Sequence, residues 1–268
     1  MISGRDIRKR LKYANKRIFP VLLPLIMSDF GKRQELVYKD DNTLPTDIRA
    51  DEACIDKILR KYPYDSVLTE ERDKVKGNIK GNNYEWIVDS IDGSVNFKEV
   101  SPYFATSIAL KKDDNLHAGM VYHYPSRSLY YGQAGKGAYL NNQKIHVSDK
   151  KELDKANVSL VADISYEKHG IKDLMDRLKT RIGNEQQLKC TSLEFAYVAS
   201  GVFDGIVKPT RNPWGVSAGM VLVPEAGGRL TTYNKGDLNI HVASNSFIHD
   251  ALCKVVERYL EKEKRKKN

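Results

Sequence analysis

The chain is poor in cysteine and tryptophan. Three cysteines, Cys54, Cys190 and Cys253, are spread over 268 residues without a Cys-x-x-Cys pair. An odd, sparse set excludes a disulfide framework and a thiolate zinc site, and it suits a reducing compartment, so the cytoplasm is expected. Long apolar runs are missing too. The longest, Ile18–Met27, is interrupted by Pro20 and Pro24 and falls well short of the roughly 20 residues that a bilayer demands. The first 17 residues are basic and lack an apolar core ahead of a small-residue cleavage site, so no signal peptide is expected. No internal repeat or low-complexity linker interrupts the chain. Hydrophobic residues make up 41% and charged residues 29%, which excludes a disordered chain and leaves a soluble globular one. Its length allows one large or two medium domains with a substantial core.

The net charge of +9 is unevenly placed. Residues 1–17 carry seven Lys/Arg against one Asp, and residues 261–268 carry five against two Glu. The body between these ends is therefore neutral. Basic ends suit RNA, acidic lipid or an acidic partner. No aromatic interleaving or nucleic-acid motif accompanies the charge, which favours solvated helix faces over a nucleic-acid partner.

The most informative stretch is Trp86-Ile-Val-Asp-Ser-Ile-Asp-Gly-Ser-Val-Asn-Phe97. Three apolar residues signal a buried strand that stops at Asp89. Asp92 follows three residues later, and Gly93-Ser94 turns the backbone. Two carboxylates beside a glycine turn suit a hard cation such as Mg²⁺, which takes carboxylate, carbonyl and water oxygens. The Gly93 and Ser94 amides add an anion cradle if a helix begins there. In isolation the same residues describe an ordinary Asx-type turn. They are not isolated: Leu68-Thr69-Glu70-Glu71 lies upstream, and Trp214-Gly215-Val216-Ser217-Ala218-Gly219 and Glu225-Ala226-Gly227-Gly228 lie downstream.

Taken together, from about Lys39 to Asn245, these blocks resemble the inositol monophosphatase family of lithium-sensitive, Mg²⁺-dependent phosphatases. The resemblance implies an α+β, layered α/β/α/β/α sandwich and a small phosphorylated substrate such as a sugar or inositol phosphate. It implies two or three Mg²⁺ ions and a homodimer. Glu70, Asp89 and the Ile91 carbonyl would hold a first ion, with Asp89 bridging to a second that also uses Asp92. Glu70 and the Ser94 hydroxyl would orient the attacking water, and the Gly93 and Ser94 amides would hold phosphate. Asp47 would support the cluster from behind, followed by Asp51 where the family often has Glu.

The chain departs from the family at Gly215, where an aspartate normally serves the second ion. Glycine supplies no ligand there and costs about 1 kcal/mol relative to alanine inside a helix. The expectation is reduced or redirected phosphatase activity. The competing reading is a catalytically silent member that binds a phosphate ligand, a protein partner or RNA. Ser90 stands where the family has Pro. Lys208, in Lys208-Pro209-Thr210-Arg211, replaces the acidic neighbourhood of inositol-selective members. It is expected on a basic, substrate-facing rim, with solvated loop charge as the alternative.

Local patterns predict a helix up to the N-terminal prolines and another from Thr46-Asp47 to Pro63. Strands are expected at Tyr84–Val88, Phe104–Leu110, Ala118–Tyr124, Leu129–Gly132, Val158–Ala162 and Gly205–Val207. Helices are expected at Ile171–Leu178, Leu193–Ser200 and Pro213–Ala226. The change of pattern near residue 150 divides the chain into an N-terminal α+β part (1–150) with the metal loop and a C-terminal α/β part (151–268). Trp214 and Glu225 are read as architectural, and Asp204 as serving its own turn.

Overall fold

The computed structural model describes residues 4–32, 35, 43–72, 75, 77, 84–161 and 170–267. Lys39, Asp73, Lys74, Lys76 and Ala162, at the margins of expected segments, lie outside the described residues. The chain opens with α1 (Gly4–Tyr13), passes through a π-helical turn at Ala14–Ile18, and continues as α2 (Phe19–Met27). The prolines were expected to kink or break this helix, yet it runs on through Pro20 and Pro24. Proline lacks an N–H and its ring clashes with the carbonyl four residues back. A widened turn immediately before Pro20 is how helices accommodate such a lost bond.

Helix α3 (Pro45–Lys61) follows, started by Pro45 and by the Asp47 carboxylate, which accepts the Leu44 N–H at 2.7 Å. A seven-stranded sheet is then built in sequence order: β1 (Ser66–Thr69), β2 (Tyr84–Asp92), β3 (Ala105–Lys112), β4 (Asn115–His123), β5 (Ser128–Gln133), β6 (Ala138–Leu140) and β7 (Gln143–Lys144). Among the described residues of this sheet, only the β1–β2 pair is parallel. A one-turn helix, α4 (Ser94–Lys98), leaves the end of β2.

The second sheet has the order β11-β12-β10-β8-β9, formed by β8 (Asn157–Leu160), β9 (Asn184–Gln186), β10 (Gly205–Thr210), β11 (Arg229–Lys235) and β12 (Leu238–Ser244). Its helices are α5 (Ile171–Lys179), α6 (Thr191–Ala199), α7 (Trp214–Glu225) and α8 (His249–Lys267).

Burial resolves these elements into five layers. Trp86, Val88, Ile108 and Met120 on one face of the first sheet meet Ile7, Ile18, Leu22 and Ile58 of α1–α3. Ile87, Ala109 and Val121 on its other face meet α6 and α7, which also touch Ile206 and Ala243 of the second sheet. The far face of that sheet, Val158, Val207 and Val242, is covered by α5 and α8 through Leu174, Leu252 and Val256. This is the expected α/β/α/β/α order. The expected division near residue 150 falls between the sheets, but α6 and α7 give both sheets a common core.

All nine residues of β2 are buried, because helices cover both of its faces. Its outer end is fixed by Arg10. That guanidinium grips Asp65 at 2.7 and 2.8 Å, lies 4.4 and 3.7 Å from the ring centres of Tyr62 and Tyr84, and is itself buried. Trp86 Nε1 donates to the same Asp65 at 2.8 Å. Removing the cation from such a buried pair typically costs about 3–5 kcal/mol. Arg10→Met is therefore expected to lower unfolding stability by about that amount in urea, followed by Trp86 fluorescence; a loss below about 1 kcal/mol would show that the pair acts like a surface bridge.

Candidate active site

The parallel register pairs Thr69 with Val88, so the chain leaving β1 carries Glu70 alongside Asp89 on β2. The antiparallel pairing of β2 with β3 shifts between Asp89 and Asp92, and this irregularity holds Ser90 and Ile91. Gly93 then takes φ 91°, and a Cβ there would come within 2.6 Å of the Tyr103 carbonyl oxygen, so the turn requires glycine. Ser94 Oγ donates to the Ile91 carbonyl at 3.0 Å and lies 3.4 Å from Asp47 Oδ1. Asp47 thus comes from the start of α3, Asp89, Ile91 and Asp92 from the end of β2, and Ser94 from the start of α4.

The carboxylates act on one another. Asp89 is held well above the usual carboxylate range by burial and by the charges of Glu70, Asp92, Asp47 and Glu71. Glu70 is pushed up to about 8 by desolvation and by Asp92, Glu71 and Asp47, against a side-chain hydrogen bond from Trp214. As a whole residue Glu70 is exposed, but its carboxyl is desolvated, and it is this end that meets the charges of the buried aspartates. Asp92 is raised by burial, opposed by hydrogen bonds from Ser192, the charge of Lys208 and Cys190.

The second half of the chain supplies what motif reading missed. The Ser192 backbone N–H, at the start of α6, donates to Asp92 Oδ2 at 2.5 Å, and Cys190 Sγ lies 3.4 Å from the same oxygen. Nothing in the spacing links positions a hundred residues apart. Lys208 corrects another expectation: it is neither a rim residue nor solvated loop charge. It is fully buried on β10, where its charge lowers the carboxyls of Asp92 and Glu194 and helps push His241 down to about 4, after burial. Glu194 is also fully buried, accepts the Leu188 N–H at 2.6 Å, and is pushed up to about 7, chiefly by burial. Arg211, the other rim residue, pairs with Asp237 at 2.7 Å on the surface.

Ser90, to which sequence reading gave no function, has a structural one. Its hydroxyl and that of Thr69 donate to the two oxygens of buried Asp51, at 3.3 and 2.9 Å. Burial nevertheless pushes Asp51 up to about 6. Thr69 precedes Glu70 and Ser90 follows Asp89, so Asp51 ties together the two backbones that carry these carboxylates. Trp214 and Glu225 hold the ends of α7. The Trp214 carbonyl accepts from Ser107 Oγ at 3.3 Å, and Glu225 accepts the N–H groups of Gly135, Lys136 and Gly137 at 2.7, 3.0 and 2.6 Å. Asp204 does more than serve its turn, because it accepts from Ser148 Oγ and from the Asn157 N–H at the start of β8.

Gly215 lies at the start of α7, and a Cβ built there would stand 3.8 Å from Asp89 Oδ2 and 3.5 Å from Thr191 Cβ. These are ordinary contacts, so nothing steric requires glycine. A side chain at 215 would enter the carboxylate cleft.

Residues 8–261 match the inositol monophosphatase family. The chain belongs to that family. Membership places it among phosphoric monoester hydrolases. This family member is 31% identical to an inositol-1-monophosphatase of Caulobacter vibrioides over 82% of its own length and 91% of the relative's. It is 28% identical to the Nus factor SuhB of Escherichia coli K12, covering 75% and 76% of the two chains. Among solved structures, an inositol monophosphatase of Thermotoga maritima superposes with a TM-score of 0.80 at 28% identity, covering 95% and 99%.

The donor chemistry of the cleft fits the divalent ions of this family: hard oxygen ligands whose repulsion calls for a cation. Among the described residues, no three such side chains close around a common point at metal-ligand spacing. Asp92 is engaged with the start of α6 and Asp47 with the start of α3. The fit is therefore one of residue type and neighbourhood.

The Asp51 tie can be broken without touching a carboxylate. Thr69→Val with Ser90→Ala leaves a buried acceptor without its hydroxyl donors, which should cost about 1–3 kcal/mol in urea unfolding. Unchanged stability would show that neither hydroxyl holds Asp51.

Proposed function

We propose that this protein is a Mg²⁺-dependent phosphomonoesterase acting on a small sugar or inositol phosphate, with activity reduced by Gly215. The observation that carries the reading is the elevation of Glu70 and Asp89 by burial and by the Asp92 charge beside them, with Asp92 itself raised by burial, in one cleft. Glu70, Asp89, the Ile91 carbonyl and Asp92 would hold the metal. When bound, Mg²⁺ supplies charge neutralisation for the phosphoryl group and activation of water. Glu70 and Ser94 orient the attacking water. The amides of Gly93 and Ser94 bind the phosphate oxygens. Lys208 acts from behind Asp92, offsetting buried negative charge rather than touching substrate. Gly215 leaves the departing-oxygen side of the cleft one carboxylate short. Loss of a group that acts in the transition state commonly costs about 10²–10³ in rate.

The second reading, a silent member, is favoured by Gly215 alone. Both are decided by assaying inositol 1-phosphate, fructose 1,6-bisphosphate and an aromatic phosphate, with and without Mg²⁺, for the protein and for Gly215→Asp. Mg²⁺-dependent turnover is expected in both, higher in the variant by about 10²–10³. Turnover in the variant alone would identify a lapsed enzyme, and turnover in neither would overturn the reading.

Stability gives an independent measure. Asp89→Asn removes a charge that burial and four carboxylates oppose, so without metal it should raise the melting temperature. Mg²⁺ should stabilise the unaltered protein by about 2.7 kcal/mol at a hundredfold excess over its dissociation constant and the variant far less. Equal stabilisation of both would place the ion elsewhere.

A further inference from the structure

The first helix presents a surface that the phosphatase reading does not use. Of the seven basic residues in positions 1–17, Arg10 is consumed by its buried pair with Asp65. Arg5, Arg8, Lys9, Lys12 and Lys16 are all exposed. Their spacing of three to four residues sets Arg5, Arg8 and Lys12 along one side of the α1 rod, and Lys16 follows in the π-helical turn that extends it. Among the described residues, Lys9 has a weak exposed pairing with Asp6 at 3.6 Å, while the other four form no salt bridge. At about 1.5 Å rise per residue, successive cations stand about 4.5–6 Å apart along the axis. That is a linear array suited to the repeating phosphates of an extended nucleic-acid strand.

The sequence alone gives this charge no aromatic company, but the fold supplies it. Gln133 Nε2, on β5, donates to the Gly4 carbonyl at 3.3 Å and so fastens the start of α1 to that strand. Tyr131 lies two residues along the same face of β5. Its ring stacks on Tyr139, its partner across the β5–β6 pairing, at 5.3 Å between centres and 17° between planes. Both rings are half-buried, and Lys144, paired with Tyr139 on the edge strand, is exposed. A row of cations therefore runs up to an aromatic platform, which is how single strands are bound without sequence preference.

We infer that the outer face of α1, together with Tyr131 and Tyr139, binds single-stranded nucleic acid. A lipid surface suits it less well, because the apolar side of α1 (Ile7, with Leu11 packed beside it) is committed to the core and has nothing to insert. An acidic protein would match the cations but leave the tyrosine platform without a role. The surface is separate from the carboxylate cleft, so the inference stands or falls independently of the catalytic reading.

The test uses the full chain and a short fluorescein-labelled oligouridine, followed by anisotropy at increasing salt. Five phosphate contacts predict that the logarithm of the association constant falls with that of salt at a slope of about −3.5. Arg8→Glu with Lys12→Glu and Lys16→Glu should weaken binding at least about tenfold and flatten that slope. Tyr139→Leu should weaken binding while leaving the slope unchanged, because stacking releases no counterions. Both variants should retain the helical circular dichroism and the phosphatase activity of the parent. Binding unaffected by the charge reversals would overturn the inference. So would equal affinity for polyglutamate or for vesicles containing phosphatidylglycerol.

Discussion

Four carboxylates, those of Asp47, Glu70, Asp89 and Asp92, repel one another at the end of a strand with no exposed residue, and much of the surrounding structure is arranged to withstand that repulsion. Asp47 is stabilised by starting α3, and Asp92 by the amide that starts α6. Lys208 contributes a fully buried positive charge from the second sheet. Each compensation comes from a different layer. The cleft is therefore a property of the whole sandwich and not of one motif. Such clusters of opposed charge mark functional sites, because folding alone would favour apolar residues in their place.

The middle layer carries the mechanical load. Helix α7 packs on the first sheet so closely that Gly119 has no room for a side chain against Ala218. Gly219 is equally confined by Phe195 of α6. At the far end of α7, three amides of the β5–β6 turn enclose the Glu225 carboxylate. A helix fixed in this way holds Trp214 and Gly215 in place over Asp89 although they arrive more than a hundred residues later in the chain.

How much of this is legible in the sequence depends on range. The apolar run Trp86–Val88, the apolar face of α3 and the Gly93 turn are local and read from their neighbours, although β2 runs on to Asp92 and does not stop at Asp89. The layer order followed from the resemblance carried by the Asp-x-x-Asp-Gly and Trp-Gly blocks. What escaped was long-range pairing. Lys208 looked like rim charge because its neighbours Thr210 and Arg211 are polar, yet the pairing of β10 between β8 and β12 encloses it. Ser90 stood out only as a replacement for the family's proline until the fold brought Asp51 beneath it. Pro20 failed as a helix breaker because a π turn ahead of it relieves the clash, an option that propensity does not encode, whereas Pro24 sits within α2 itself.

The backbone at Gly215 is unstrained and would bring a side chain only to ordinary contact distance of Thr191 and Asp89. Packing therefore tolerates a side chain here, but an aspartate would add another negative charge beside carboxylates that already repel one another. Aspartate lies one nucleotide change away from glycine in the genetic code. The barrier to introducing it is thus electrostatic and not steric, and a cation in the cleft would lift it.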